Sequence, residues 1–327
     1  MTTPGPQSYS GIYLSKTDTD LPDRFSNDFA KYSNFRELAG GGNGVLIACN
    51  DNNLGRKVVI KKLAPEHRQD ARARRRLLRE ARVTAQLTHP NTVPVHEIGL
   101  TDEGDLYFTM KKIEGEDLFR ILSKIARSER KANEANPLDE LLGILLQASN
   151  ALSYAHSRGV IHRDIKPENI LVGMFGDVFL MDWGVAKVWG MPNEGSEDEI
   201  PRTDLHDRLT SPGKRPGTPL YMSPEQVRDK VVDERSDIFS MGVVLYETLA
   251  LKEPFRGANI NETFANILDY DPPPPSSVAK HWAVPKALDE ICAKAMQKNP
   301  RDRYQMMREM IRDINRFRAE AIAAPPE

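Results

Sequence analysis

Cysteine is nearly absent from this chain: only Cys49 and Cys292 occur among 327 residues. Two thiols so far apart in sequence suggest neither a disulfide framework nor a metal-ligand cluster. No apolar run reaches the ~18 residues that a membrane-spanning helix needs. The N-terminus, "MTTPGPQSYSGIYLSK", lacks a charged stretch followed by an apolar one and does not read as a signal peptide. An excess of charge of one sign is missing too. Lys plus Arg number 45 against 47 Asp plus Glu, a net charge of −2. That balance makes no general case for nucleic-acid binding and leaves only local patches open. The reading is a cytoplasmic, soluble chain without a membrane span. Its 39% hydrophobic residues suit one large domain or two lobes.

No internal repeat is found along the chain. Residues 1–30 are expected to form a flexible segment, because 1–24 are rich in Ser, Thr, Pro and Asp and show little periodicity. From about 31 to 63 the pattern is strand-like: "NFRELA", "VLIACN" and "KVVIKKL" are separated by glycine or by the turn-forming "DNNLG". Residues 66–88 read as helix and 105–113 as another strand, after which the chain is mostly helical, notably over 138–157, 235–251 and 286–297. A strand-rich first third leading into a helical remainder suggests two lobes with a cleft between them. The stretch 189–217 is acidic, then basic, and rich in Gly and Pro, which fits simple disorder and a regulated loop equally. "PPPP" at 272–275 reads as an extended connector, and the closing "AIAAPPE" (321–327) as a tail or linker.

Polar groups stand where apolar ones are expected at several points. "IHRDIKPENI" (161–170) packs His162, Arg163, Asp164, Lys166, Glu168 and Asn169 between isoleucines. That suits an active-site loop pinned to a scaffold better than an ordinary surface loop. Lys61 ends the apolar run Val58-Val59-Ile60. Glu80 has Leu77, Val83, Thr84 and Leu87 as helical neighbours, so it lies on an apolar face, where a carboxylate is costly unless paired. Lys61 is its natural partner. Asp182 follows "VFLM" and precedes Trp183-Gly184, a setting that suits a magnesium ligand. "LAGGGNGVLI" (38–47) sets Gly40, Gly41, Gly42 and Gly44 between two strand-like runs; alone it is as consistent with a hairpin turn as with a phosphate loop.

The order of these features, with "VVIK", "HPNTVPVHEIG", "HRDIKPEN", "DWG", "GTPLYMSPE", "DERSDIFSMGVVLYE" and "NPRDRY", resembles the eukaryotic-type serine/threonine protein kinases, in particular their bacterial members. The resemblance runs from about Tyr32 to Arg318. It implies an α+β, bilobal protein kinase fold over 31–320, with a small strand-rich N-lobe (31–113), a larger helical C-lobe (114–320) and the ATP site between them. The implied cosubstrate and cofactor are ATP and Mg2+, with Mn2+ as an alternative ion. Protein substrates are the implied partners, and a homodimer would serve trans-autophosphorylation.

By the same resemblance, Lys61 holds the α- and β-phosphates and Glu80 holds Lys61. Asn169 and Asp182 coordinate magnesium. Asp164 orients the substrate hydroxyl and accepts its proton, and Lys166 neutralises charge near the γ-phosphate. The glycine loop (Ala39, Gly40, Gly41, Gly42, Asn43 and Gly44) covers the phosphates. Adenine lies against Leu46, Val59 and Leu171, with Met110 at the back and Lys111 to Ile113 as the connecting segment. Glu225 and Arg303 resemble an ion pair closing the activation segment, and Asp237 a carboxylate bonded to the 162–164 backbone. Arg163 reads as an unpaired cation awaiting a phosphate on the loop, with Thr210 the chosen acceptor over Thr203, Ser211 and Ser196. Departures from the family pattern are Ala39 at the first loop glycine, Asn43 at the loop tip, Trp183 for phenylalanine and Ser223 for alanine; none removes a catalytic group. The competing readings are a pseudokinase acting as a binding module and a small-molecule kinase of related fold.

Overall fold

The computed structural model of the protein describes residues 27–41, 44–127, 137–188 and 218–323. Two compact units emerge. One ends at Ala81 and resumes over Pro94–Lys112, and the other comprises Arg82–Val93 and the chain from Ile113 onward.

The first unit is built on a five-stranded antiparallel sheet. Its strands are β1 (Tyr32–Gly41), β2 (Gly44–Asp51), β3 (Arg56–Lys62), β4 (Val95–Leu100) and β5 (Leu106–Lys111), in the order β1-β2-β3-β5-β4. Register sorts the side chains. Leu46 lies opposite Lys61, and Lys61 opposite Phe108, while Val59 lies opposite Ala48 and Met110. Directly paired residues share a face, and residues two apart along a strand do as well. Leu46, Val59, Lys61, Phe108 and Met110 therefore line one side of the sheet. The other side carries a core of Tyr32, Cys49, Val58, Ile60 and Tyr107. There Glu97 accepts bonds from Lys31, from Tyr32 Oη at 2.6 Å and from Tyr107 Oη at 3.0 Å. Phe29 packs edge-on against Tyr107 with ring centroids 5.0 Å apart, so the short turn Phe29–Lys31 is fastened to this side. Residues 1–26, which include most of the segment expected to be flexible, lie outside the described residues.

Helix α1 (Ala71–Gln86) follows the sheet's third strand. Leu77, Glu80, Ala81, Val83, Thr84 and Leu87 are buried while Arg75 and Arg82 are exposed, the division that helical spacing predicts.

The second unit is mostly helical: α2 (Leu118–Ala126), α3 (Pro137–Ser157), α4 (Pro224–Val227), α5 (Glu234–Ala250), α6 (Ile260–Asp269), α7 (Pro275–Val278), α8 (Lys286–Ala295) and α9 (Met307–Ala323). Leu141, Leu145, Ala148, Leu152 and Ala155 form the buried stripe of α3 at three- and four-residue spacing. Helix α5 is buried continuously from Ser236 to Ala250, so it forms the middle of the core rather than its edge. Gly242 permits that: a Cβ there would stand 2.7 Å from the Ala295 methyl of α8. Short strands complete the unit. β6 (Gly115–Asp117), β8 (Ile170–Gly173) and β9 (Val178–Leu180) form one sheet, and β7 (Val160–Ile161) pairs with β10 (Lys187–Val188). No helix among the described residues is long and apolar enough to cross a membrane.

Candidate active site

In the first unit, Lys61 Nζ lies 2.5 Å from Glu80 Oε1, with the two side chains only 13% and 10% exposed. β3 holds the lysine because Val58, Val59 and Ile60 are buried in the sheet, and α1 holds the glutamate because its apolar neighbours fix which face turns inward. A pair this enclosed is held by its surroundings, and removing one member would leave a desolvated charge. On the same side of the sheet Val59 and Met110 are buried and Leu46 is half-buried. The exposed Lys111 donates its backbone N–H to Pro94 O at 3.0 Å.

The glycine loop is a hairpin end, in which Ala39 pairs with Leu46, Gly40 with Val45 and Gly41 with Gly44. Gly42 and Asn43 lie outside the described residues. Gly44 has φ +143°, and a Cβ there would come within 2.5 Å of the Lys62 carbonyl oxygen. Backbone geometry alone therefore demands glycine at this position. Gly44→Ala should destabilise the protein by more than ~1 kcal/mol, opposite in sign to the ~0.4–1 kcal/mol that a strain-free Gly→Ala exchange adds to stability, as read by chemical denaturation.

In the second unit the isoleucines of the 161–170 loop serve as anchors: Ile161, Ile165 and Ile170 are all buried. Between them Lys166 Nζ donates to Asp164 Oδ2 at 2.7 Å. Asn169 Nδ2 donates to the Asp164 backbone carbonyl at 2.7 Å, and Asp164 Oδ2 lies 3.3 Å from the same nitrogen. Burial works against the Lys166 charge, but Asp164 and, more weakly, Asp182 and Glu168 outweigh it and hold its pKa above the ordinary lysine value. Burial also pushes the Glu168 carboxyl up. Asp182 sits in the left-handed region at φ +62°, and its Oδ1 accepts from Gly184 N at 3.4 Å. Trp183 behind it is buried, its ring centroid 4.4 Å from that of His162. Ile113 and Leu171 are half-buried members of the second unit.

The loop backbone is strained and clamped. Arg163 adopts φ +67°. Its N–H and that of His162 each reach an Asp237 carboxylate oxygen at 2.8 Å, and His156 Nε2 lies 2.8 Å from the same carboxylate. Burial alone would raise the Asp237 pKa, yet His156, His162 and the backbone donor hold it below the usual carboxylate range. Arg163 is not the unpaired cation that the sequence suggested: its Nε donates to Val185 O at 2.7 Å. Thr210, Thr203, Ser211 and Ser196 lie outside the described residues. Glu225 and Arg303 do meet, through two bonds of 2.7 and 2.8 Å.

Among the described residues no three His, Cys, Asp or Glu side chains gather around a metal position. Magnesium does not need them, since it is held by one or two protein oxygens with phosphates and water. The donor set fits that ion. Asn169 commits its nitrogen to Asp164 and so presents its Oδ1 as an oxygen donor, and Asp182 supplies a carboxylate. His156, beside Asp237, and Gln226, whose Nε2 donates to the Arg163 carbonyl oxygen at 2.9 Å, are contacts of this loop that sequence reasoning passed over. The spacing Ser223-x-x-Gln226 is a visible helix-start signal, whereas His156 gave none.

Residues 32–313 match the protein kinase domain family, and the chain belongs to that family. It is 33% identical over 315 residues to a serine/threonine-protein kinase PknD of Protochlamydia amoebophila, and 34% identical over 290 residues to a PknD of Chlamydia felis. Those alignments cover 94% and 87% of this chain but 32% and 30% of the relatives, so the chain spans about a third of their length. A crystal structure of the Mycobacterium tuberculosis PknI kinase domain, a cysteine-to-alanine mutant, matches with a TM-score of 0.60 at 25% identity. That match covers 88% of this chain and 95% of the mycobacterial one.

Proposed function

We propose that this domain transfers the γ-phosphoryl group of ATP to serine and threonine hydroxyls of protein substrates, its own included. The observation that carries the reading is the Asp164–Lys166–Asn169 constellation, one carboxylate held between a cation and an amide on a loop anchored by buried isoleucines. Asp164 accepts the proton of the substrate hydroxyl as its oxygen bonds to the γ-phosphorus and the bond to the β-phosphate oxygen breaks, releasing ADP. Lys166 balances charge at the transferring group. Lys61, oriented by Glu80, holds the α- and β-phosphates. Asn169 and Asp182 hold magnesium, which when bound neutralises the phosphate oxygens; Mn2+ suits the same oxygen donors. Leu46, Val59, Met110, Ile113, Leu171 and the Lys111 backbone are assigned to adenine. A cytoplasmic setting, supported by the need for ATP, and a homodimer acting in trans complete the proposal.

The reading is tested by incubating purified protein with γ-labelled ATP and magnesium, followed by phosphoamino-acid analysis. Label on serine and threonine is expected. Nucleotide binding without label would instead favour a binding module. Lys61 and Glu80 should also behave as a unit. Lys61→Met is expected to lower kcat/KM by about 10²-fold or more. Adding Glu80→Gln should deepen the loss by no more than about threefold, because coupled residues give non-additive losses. Fully additive losses in that cycle would separate the pair in the active state.

A further inference from the structure

We infer that Gln226 is a positioning residue for the catalytic loop and that Ser223 fixes the orientation of its amide. The inference rests on the proposed role of Asp164 as proton acceptor. Gln226 Nε2 donates to the Arg163 carbonyl oxygen at 2.9 Å, across 63 residues of sequence. That carbonyl belongs to the peptide bond immediately before Asp164. At its other end the amide is held by Ser223, whose N–H and hydroxyl reach Gln226 Oε1 at 3.0 and 3.1 Å. The Gln226 N–H in turn points to Ser223 Oγ at 3.4 Å, closing a capping box at the start of α4.

These contacts admit one amide orientation. Reversing it would set the NH2 group against the Ser223 N–H and the oxygen against the Arg163 carbonyl, two donor–donor and acceptor–acceptor clashes. Glutamate in place of glutamine makes the second clash unavoidable. Arg163 needs such a hold, because its left-handed φ of +67° persists only if its surroundings over-determine it. Asp237 grips its N–H, Val185 its side chain and Gln226 its carbonyl. The last grip is the one that bears on Asp164, since it fixes the plane of the peptide bond from which that residue continues. It also ties the catalytic loop to the segment from Thr218 to Glu225, where Ser223 stands in place of the family's alanine. The fully enclosed serine hydroxyl therefore acts on the glutamine: it sets an amide that alanine would leave held by the backbone N–H alone.

The experiment compares Gln226→Glu, Gln226→Met and Ser223→Ala with wild type and with Asp164→Asn, measuring kcat, KM for ATP and for a serine-containing peptide, nucleotide Kd and Tm. Gln226→Glu should lower kcat by about ten- to a hundredfold, the scale of a sub-ångström to 1 Å misplacement of a reacting group. KM for ATP and nucleotide Kd should stay within about twofold, since binding groups are untouched. Gln226→Met, of similar length and uncharged, should lower kcat by about three- to tenfold, the worth of one hydrogen bond. It keeps the test valid if the glutamate variant does not fold. Ser223→Ala should fall between wild type and Gln226→Met, and the double variant should be no worse than Gln226→Met alone. If wild type is active, Asp164→Asn is inactive and both Gln226 variants match wild type in kcat, the positioning role is overturned while the role of Asp164 stands. Equal turnover by wild type and Asp164→Asn overturns both. A fall in kcat that appears only as Tm approaches the assay temperature would mean that Gln226 merely supports the fold.

Discussion

Asp164→Asn is expected to abolish most phosphotransfer while leaving nucleotide affinity within a few-fold of wild type. Asparagine has the same shape, and its carbonyl oxygen can still accept from Lys166, whose Nζ lies 2.7 Å from Asp164 Oδ2. The bond from Asn169 to the residue-164 backbone carbonyl does not involve the side chain and should survive. Loop geometry is therefore kept while the proton acceptor is lost. A positioned base contributes about 10²–10⁴ in rate, and a loss in that range is expected in kcat. The variant should fold with a Tm close to wild type, because the backbone of the loop is gripped by Asp237 and its isoleucines remain buried. Turnover and nucleotide affinity measured on the same preparation check this. Wild-type turnover would show that Asp164 has been given the wrong role.

Features whose cause is local were legible in the sequence. Glu80 could be placed on the buried face of a helix because its apolar neighbours recur at helical spacing. A buried carboxylate needs a cation, and Lys61 on the preceding strand was the natural choice; the two stand 2.5 Å apart. The isoleucines around the charged loop announced an anchored segment, and all three are buried. Long, largely apolar helices are legible to within a few residues, as with 138–157 for Pro137–Ser157 and 235–251 for Glu234–Ala250.

Features whose cause is distant in sequence were harder. The short strands β6 to β10 hold two to four residues each, too few to display a period, and they form because a partner strand is already in place. Arg163 Nε donates to a backbone carbonyl 22 residues away, and no carbonyl is visible in a sequence pattern. The same holds for Gln226, whose amide meets the Arg163 carbonyl, and for His156, which meets Asp237 across 81 residues. Side chain to side chain pairing of opposite charge can be guessed from a sequence, as with Lys61 and Glu80, whereas Glu225 and Arg303 were paired only through the family resemblance. Pairing of a side chain with backbone depends on where the chain folds back, and that is known only from the fold.

Glu225→Ala should destabilise the second unit by roughly 3–5 kcal/mol, the cost of leaving one member of a buried ion pair alone. Arg303 has no access to water, its side chain being 0% exposed, and Glu225 is 8% exposed. The guanidinium also donates to the carbonyls of Gln297 at 2.7 Å, Arg235 at 2.9 Å and Lys298 at 3.1 Å, and it lies 4.9 Å from the Phe239 ring centroid. It is thus fixed in place and cannot swing out to solvent when its carboxylate is removed. At about 2–4 °C per kcal/mol for a unit of this size, the Tm should fall by roughly 10 °C. The pH dependence gives a sharper test. Burial pushes the Glu225 carboxyl up, but the Arg303 bonds and charge, with Ser236, outweigh it and hold the pKa below the usual carboxylate range. A depressed folded pKa means that the unfolded chain takes up the proton first as pH falls. The contribution is therefore fully present above the unfolded value of ~4.3, declines below it, and is gone once the folded value is passed. The Tm difference between wild type and Glu225→Gln should accordingly be constant from pH 7 to about 5 and shrink steadily below about 4.3. Asp237, also held below the usual range, titrates identically in both proteins and cancels in the difference. A difference that stays the same down to about pH 3 would mean that the carboxylate charge of Glu225 contributes nothing, and that shape alone fixes the end of the segment.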